Sequence, residues 1–141
     1  MPQPYALPEL IGARLESQNL GIRILYAADL AGATENTQVA QSLRVVPYQL
    51  SVIDAYNPAA ISLKEVVLVV AVIRFSNQPS GQGARQIASP ILAKAAIALS
   101  GWQPNRNYGG LQIETPPISR IQDGYCSYPL QFYSKYQLSA T

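Results

Sequence analysis

The chain has 141 residues, 48% hydrophobic and only 13% charged, with a formal net charge of +2, one cysteine and no histidine. That is long enough for one domain, expected over residues 1–141, with a real core, and too apolar for a disordered tail. A single Cys126 excludes an internal disulfide framework, and the ten Lys and Arg, scattered singly from Arg14 to Lys135, form no basic run of the kind a nucleic-acid groove uses. A ring of copies could still concentrate weak charge. Gln, Ser and Asn take the place of the missing charges, and a surface so poor in charge favours a chain that lives inside an assembly.

The N-terminus, MPQPYALPEL, has no basic region followed by an apolar one, so no secretory signal is expected. The longest apolar run, Val66–Ile73, falls far short of the ~20 residues of a membrane span. A soluble, intracellular protein with no membrane contact is expected. Leu7, Leu10, Ile11 and Leu15 recur at helical spacing, with Pro8 in the first turn, where its missing N–H costs nothing. This helix runs to about Gln18 and is closed by Asn19 and Gly21. Ile22–Ala27 reads as a short strand, and Asp29–Gln38 as a polar stretch of small residues, too weak in pattern for an assigned element and open to a short helical turn. Ser42–Asp54 returns to strand, and Pro47 puts it at an edge or on a bulge.

Leu63–Phe75 is the central strand, apolar on both faces in its middle, which requires cover on both sides or a subunit contact. Ser76–Gly83 is all turn chemistry and reads as a flexible contact loop. Ala84, Ile87, Ala88, Ile91, Leu92, Ala95, Ala98 and Leu99 then form one apolar stripe of a second helix. Either Ser89 caps it and Pro90 opens it, or Pro90 lies within a longer helix. Ser100-Gly101 ends it, and Trp102 follows as a packing anchor. Gly109–Glu114 is a strand, Pro116-Pro117 break it, Ser119–Gln122 is extended, and Asp123-Gly124 is a tight turn.

The last strand, Gly124–Leu138, is the longest. One register carries Cys126, Tyr128, Leu130, Phe132, Tyr136 and Leu138, which suits a core; the other carries Tyr125, Gln131, Tyr133, Lys135 and Gln137, a wetter set. Run straight, it would extend roughly 50 Å, against a domain diameter of roughly 37 Å. It either bends, for which Pro129 offers a place, or reaches a neighbour. The element order indicates an α+β fold, a mixed and mostly antiparallel sheet with two main helices packed on it.

Candidate chemistry is sparse. Without His there is no Ser-His or Cys-His arrangement, and a lone Cys makes no zinc knuckle. Gly81-Gln82-Gly83 lacks the third glycine of a phosphate loop. The carboxylates Glu9, Glu16, Asp54, Glu114 and Asp123 sit apart, on a solvated helix face, at strand ends and in a turn. No catalytic, cofactor or metal residue is therefore assigned, and the chain reads as a non-enzyme. Tyrosine is the over-used type, nine in all, and it offers contact area at low entropic cost. The interface candidates are Tyr125, Tyr133 and Lys135 on the outward register, with Gln82, Arg85 and Asn36 in and beside the polar loops.

An N-terminal helix, RVVPYQLSV, VVLVVAVIRF, an Ala-rich helix running into Gly101-Trp102-Gln103-Pro104, GGLQIE and the terminal GYCSYPLQFYSKYQ together resemble the tail-terminator (tail-completion) proteins of tailed bacteriophages, the family of the lambda-type minor tail protein U. The resemblance spans Leu7 to Leu138 and lies in layout; its most specific piece is the helix followed by GWQP and a short strand. It implies a structural virion protein: a homohexameric ring on the head-proximal end of the tail tube that stops polymerisation and joins the tail to the neck or connector. In contractile tails it implies contact with the last sheath ring. Genome DNA would pass through without sequence-specific binding. A head-closure or neck adaptor is the alternative, and an enzyme or nucleic-acid binder is opposed by the missing motifs and scattered charge.

Overall fold

In the computed structural model, which describes residues 2–27, 41–57, 59–74, 82–122 and 124–139, the strands form one six-stranded sheet with two helices. In chain order these are α1 (Leu7–Ser17), β1 (Arg23–Tyr26), β2 (Gln41–Asn57), β3 (Ala60–Arg74), α2 (Gln82–Leu99), β4 (Gln112–Glu114), β5 (Arg120–Gln122) and β6 (Tyr125–Ser139). The sheet order is β1-β2-β3-β6-β4, with β5 also on the outer edge of β6. Only β1 and β2 are parallel; the other pairs are antiparallel. This is the expected α+β fold.

The central strand is apolar because both faces are covered. Every residue from Val66 to Ile73 is buried. Its odd positions Val67, Val69, Ala71 and Ile73 join the main core with Leu7, Ile11 and Leu15 of α1 and Ala84, Ala88, Ala95 and Leu99 of α2. Its even positions Leu68, Val70 and Val72 form a second cluster with Val46 and Tyr125 on the opposite face. Each such fully buried Val or Leu contributes about 1.5–3 kcal/mol. The Ala-rich stripe of α2 buries small side chains, which brings that helix close to the sheet.

The long last strand does not travel alone. β6 pairs with β3 without a register break from Tyr125 to Ser139, and Pro129 sits in that ladder opposite Val70. Pro129 lacks an N–H, which a strand tolerates where that group would not serve the ladder. β2 and β3 are as long as β6, so the overhang is a shared property of three strands. The apolar register behaves as expected: Cys126, Phe132 and Tyr136 lie in the main core, and Tyr128, Leu130 and Leu138 pack against it.

Other boundaries decide between the readings the sequence left open. β2 has its first register shift between Pro47 and Gln49, where the proline displaces the ladder into a bulge. The second helix runs through Pro90 from Gln82, so Gln82 and Gly83 belong to it and not to the preceding loop; the tertiary contacts of Ala84 and Ala88 hold the first turns in place. The strand expected from Gly109 is only Gln112–Glu114. Gly109 and Leu111 instead bond individually to Lys135 and Trp102. Asp29–Gln38, Ser76–Gly81 and Asp123 lie outside the described residues.

Candidate interaction surface

The face of the sheet opposite α1 and α2 carries the candidate surface at its β6 end. The ladder places Tyr133 opposite Val66 on β3 and opposite Gln112 on β4. The Nζ of Lys64 stands 4.3 Å from the centroid of the Tyr133 ring and that of Lys135 stands 5.8 Å from it. Both positions are within cation–π reach. Lys64 also pairs with Glu114 Oε2 at 3.2 Å, and Gln131 Nε2 donates to Glu114 Oε1 at 2.6 Å. This half-exposed cluster is held in one geometry by the ladders of three strands, β3, β6 and β4, a rigid polar patch with an aromatic centre.

The expected contact residues do not gather in one place. Tyr133 and Lys135 share the patch. Tyr125 does not: it is 4% exposed, packed against Val46, Leu68, Val70 and Val72, so its ring is core on the face opposite α1 and α2. Alternation along one strand assigned it outward, whereas the strand here is covered on both sides. Gln82 and Arg85 are exposed on the first turns of α2, on the other layer. Arg85 rims a cleft of about 300 Å³ lined by Ala88, Leu92, Ser119 and Tyr128. Burial and the Cys126 thiol push the Tyr128 hydroxyl up to about 12, with Arg85 pulling the other way. Asn36 lies outside the described residues.

One buried polar group escaped the sequence reading altogether. Glu65 faces the main core from β3 and is 2% exposed. Its Oε1 accepts from the Tyr136 hydroxyl at 2.6 Å and from the Tyr5 backbone N–H at 3.3 Å, while Oε2 is buried without a partner. Tyr108 packs edge-on against Tyr136, centroids 4.9 Å apart. The first residue of the helix follows Ala6, which supplies no side-chain cap. Glu65 therefore does from the sheet what a capping side chain does locally, and Tyr5 adopts a positive φ of 65° beside it. Burial raises the Glu65 carboxyl above the ordinary range, only partly offset by hydrogen bonds from Tyr136 and from the backbone at Tyr5 and Leu7. A lone carboxylate in an otherwise apolar strand was the available signal.

This arrangement fixes one end of a helix. Among the described residues no three His, Cys, Asp or Glu side chains converge as a metal site, and no helix is long and apolar enough to cross a membrane. The family description "Phage tail terminator protein" matches residues 1–141. The chain belongs to the phage tail terminator family. No curated protein matches it. Membership in the phage tail terminator family makes it a structural component of the phage tail, in a family that is typically non-enzymatic, located in the virion tail and in contact with other tail components.

Proposed function

We propose that this tail terminator acts as a single domain, of the lambda minor tail protein U kind, that closes into a homohexameric ring on the head-proximal end of the tail tube. One ring face copies a tube-ring contact and the other refuses a further tube ring, so polymerisation stops. The second face then receives the neck or connector, and in a contractile tail the rim meets the last sheath ring. Genome DNA passes through the ring without sequence-specific contacts. The particles assemble in the host cytoplasm. The mechanism is binding alone.

The observation that carries this reading is the family match over residues 1–141. The surface adds support: a closed ring is a heterologous assembly and needs two different patches on each subunit. The rigid Tyr133–Lys135 patch on one layer and the Gln82–Arg85 turn with its cleft on the other are two such patches. The test is electron microscopy of lysates from phage lacking the protein. Overlong tubes or headless tails of irregular length support termination; headless tails of normal length support a neck adaptor and refute it. Tyr133→Asp should leave folding intact and weaken ring assembly in light scattering. An unchanged ring would remove Tyr133 from the interface.

A further inference from the structure

The residues just ahead of α1 are held mainly by their backbone. Pro2 is buried, whereas Gln3, Pro4 and Tyr5 are exposed, Tyr5 at 63%. The N–H groups here converge on two side chains of the layer below. That of Gln3 bonds the Tyr108 hydroxyl, that of Tyr5 bonds Glu65 Oε1 at 3.3 Å, and that of Leu7 bonds the same carboxyl group. The Ala6 N–H closes a turn onto the Gln3 carbonyl at 3.2 Å. Tyr136 braces Glu65 from β6 with its 2.6 Å hydrogen bond. Residues 2–6 therefore lie as a strap across Glu65 and Tyr108.

Three features set free energy against the closed strap. Tyr5 sits at φ 65°, a left-handed conformation disfavoured for a residue with a Cβ. Ala6 gives α1 no side-chain cap, so the first N–H groups of the helix depend on Glu65. Glu65 Oε2 is buried without a partner, which is costly for a carboxylate. Opening relieves the first and the third together, because Tyr5 leaves the left-handed region and water reaches Oε2. A cleft of about 210 Å³ lined by Gln3, Ala6, Glu9, Leu10, Asn105 and Tyr108 borders the strap and gives water its way in. The parts on either side are fixed. β3 and β6 pair without a break through Glu65 and Ser134, and Leu7, Ile11 and Leu15 anchor α1 in the main core. The strain is thus confined to a short segment, the condition for a local opening.

We propose that residues 2–6 form a releasable strap, latched by Glu65 and Tyr108, that opens while α1 and the sheet stay folded. The strap does not depend on the terminator reading. Its latch responds to protons. Closed, it keeps Glu65 dry, and burial holds that carboxyl above the ordinary range; open, the carboxyl is wet and ordinary. Low pH therefore favours the closed strap. The opening constant rises by up to about tenfold per pH unit between the ordinary carboxylate value and the folded one, then levels off. The titratable groups facing Glu65 are Tyr136 from β6, Tyr108 from the chain ahead of β4 and Tyr5 from the strap. Its ladder neighbours are Leu50 and Ser134, and Glu9 on the first turn of α1 is exposed. Burial raises the hydroxyls of Tyr108 and Tyr136, so Glu65 is the group whose charge changes.

The test is amide hydrogen exchange on the full chain from pH 4 to pH 8, read by NMR at Gln3 and Tyr5 with the β3–β6 ladder amides as reference. After correction for intrinsic rates, protection at Gln3 and Tyr5 should lie far below that of the ladder and should fall as pH rises. In Glu65→Gln the fall should vanish. Tyr5→Gly supplies a second reading should Glu65→Gln not fold: without the Cβ, strap protection should rise about threefold, the steric relief less the extra freedom of an open glycine. Strap amides protected as strongly as the ladder have no opening of their own and overturn the proposal. A profile flat with pH in the wild type, or equally steep in Glu65→Gln, also overturns it. So does protection in Tyr5→Gly that is unchanged or lower.

Discussion

Replacing Tyr136 with Phe removes one hydroxyl from a site where nothing else can replace it. The Tyr136 hydroxyl donates to Glu65 Oε1 at 2.6 Å in a pocket where both side chains are at most 5% exposed. The remaining donors are backbone N–H groups, that of Tyr5 at 3.3 Å and that of Leu7. A buried hydrogen bond to a charged group is worth about 1.5–3 kcal/mol, so with Glu65 ionised the variant should lose about 2 kcal/mol, a fall of roughly 5–8 °C in melting temperature for a domain of this size. The pH dependence carries the sharper test. Burial raises the Glu65 carboxyl above the ordinary range, so the folded state holds the proton more tightly than the unfolded chain. The resulting stabilisation is complete below the ordinary carboxylate range and is lost as pH rises through the folded value. The Tyr136 donor favours the ionised form, and its removal raises the folded value further. The cost of Tyr136→Phe should therefore grow from pH 4 to pH 8, whereas in a Glu65→Gln background it should be near 1 kcal/mol and flat. Urea unfolding of the four proteins at both pH values gives the cycle. Equal costs at the two pH values in the wild-type background would refute the assignment of Glu65 as the titrating partner.

Phe132→Ala should cost about 3–5 kcal/mol, because the ring is fully buried in the main core and the rigid ladder on both sides of it resists collapse into the cavity; chemical denaturation reads this, and a loss below 1 kcal/mol would place the ring outside the core. Gly109→Ala should be more harmful than Gly12→Ala. A Cβ on Gly109 would lie 2.7 Å from the backbone oxygen of Lys135, to which the Gly109 N–H also bonds, while one on Gly12 would meet the Tyr26 hydroxyl end, which belongs to an exposed ring that can swing aside. Melting temperatures compare the two directly, and the reverse order would contradict the packing at Tyr108–Gly109.

What was legible in the chain was local. The helix from Leu7 has its periodicity and its early proline in sequence, and Asn19 and Gly21 do take the positive φ that ends it. The β2 bulge announces itself as Pro47, and the doubly covered strand as the run Val66–Ile73. The core register of β6 follows from alternation. The misplacements share one cause. Tyr125 looks outward by alternation because a single strand reports only that its two faces differ, not that a second cluster of Val46, Leu68, Val70 and Val72 waits on the other side. Pro90 left two readings open, a helix start or a longer helix around it, and tertiary burial of Ala84 and Ala88 selects the longer one. Glu65 was silent because a carboxylate in a strand reads as a solvated position until the ladder puts it beneath the first turn of α1.

Charge shows the same limit in its strongest form. Arg23, Arg44, Arg74 and Arg120 are separated by 21, 30 and 46 positions, so no window along the chain finds them. Each stands alone among neutral neighbours. They share a face only because β1 runs parallel to β2 in a register that sets Arg23 against Ser42, and because β6 sets Ser127 against Arg120. A shift of one residue in any of these ladders would move an arginine to the helical face. The shared face is thus a property of register, and register is held by the very burial that makes β3 apolar on both sides. A slip in β3 would turn the eight buried positions from Val66 to Ile73 to the wrong face at about 1.5–3 kcal/mol for each large side chain. The core that looks only structural in the sequence is what keeps the exposed Arg23, Arg74 and Arg120 on one face.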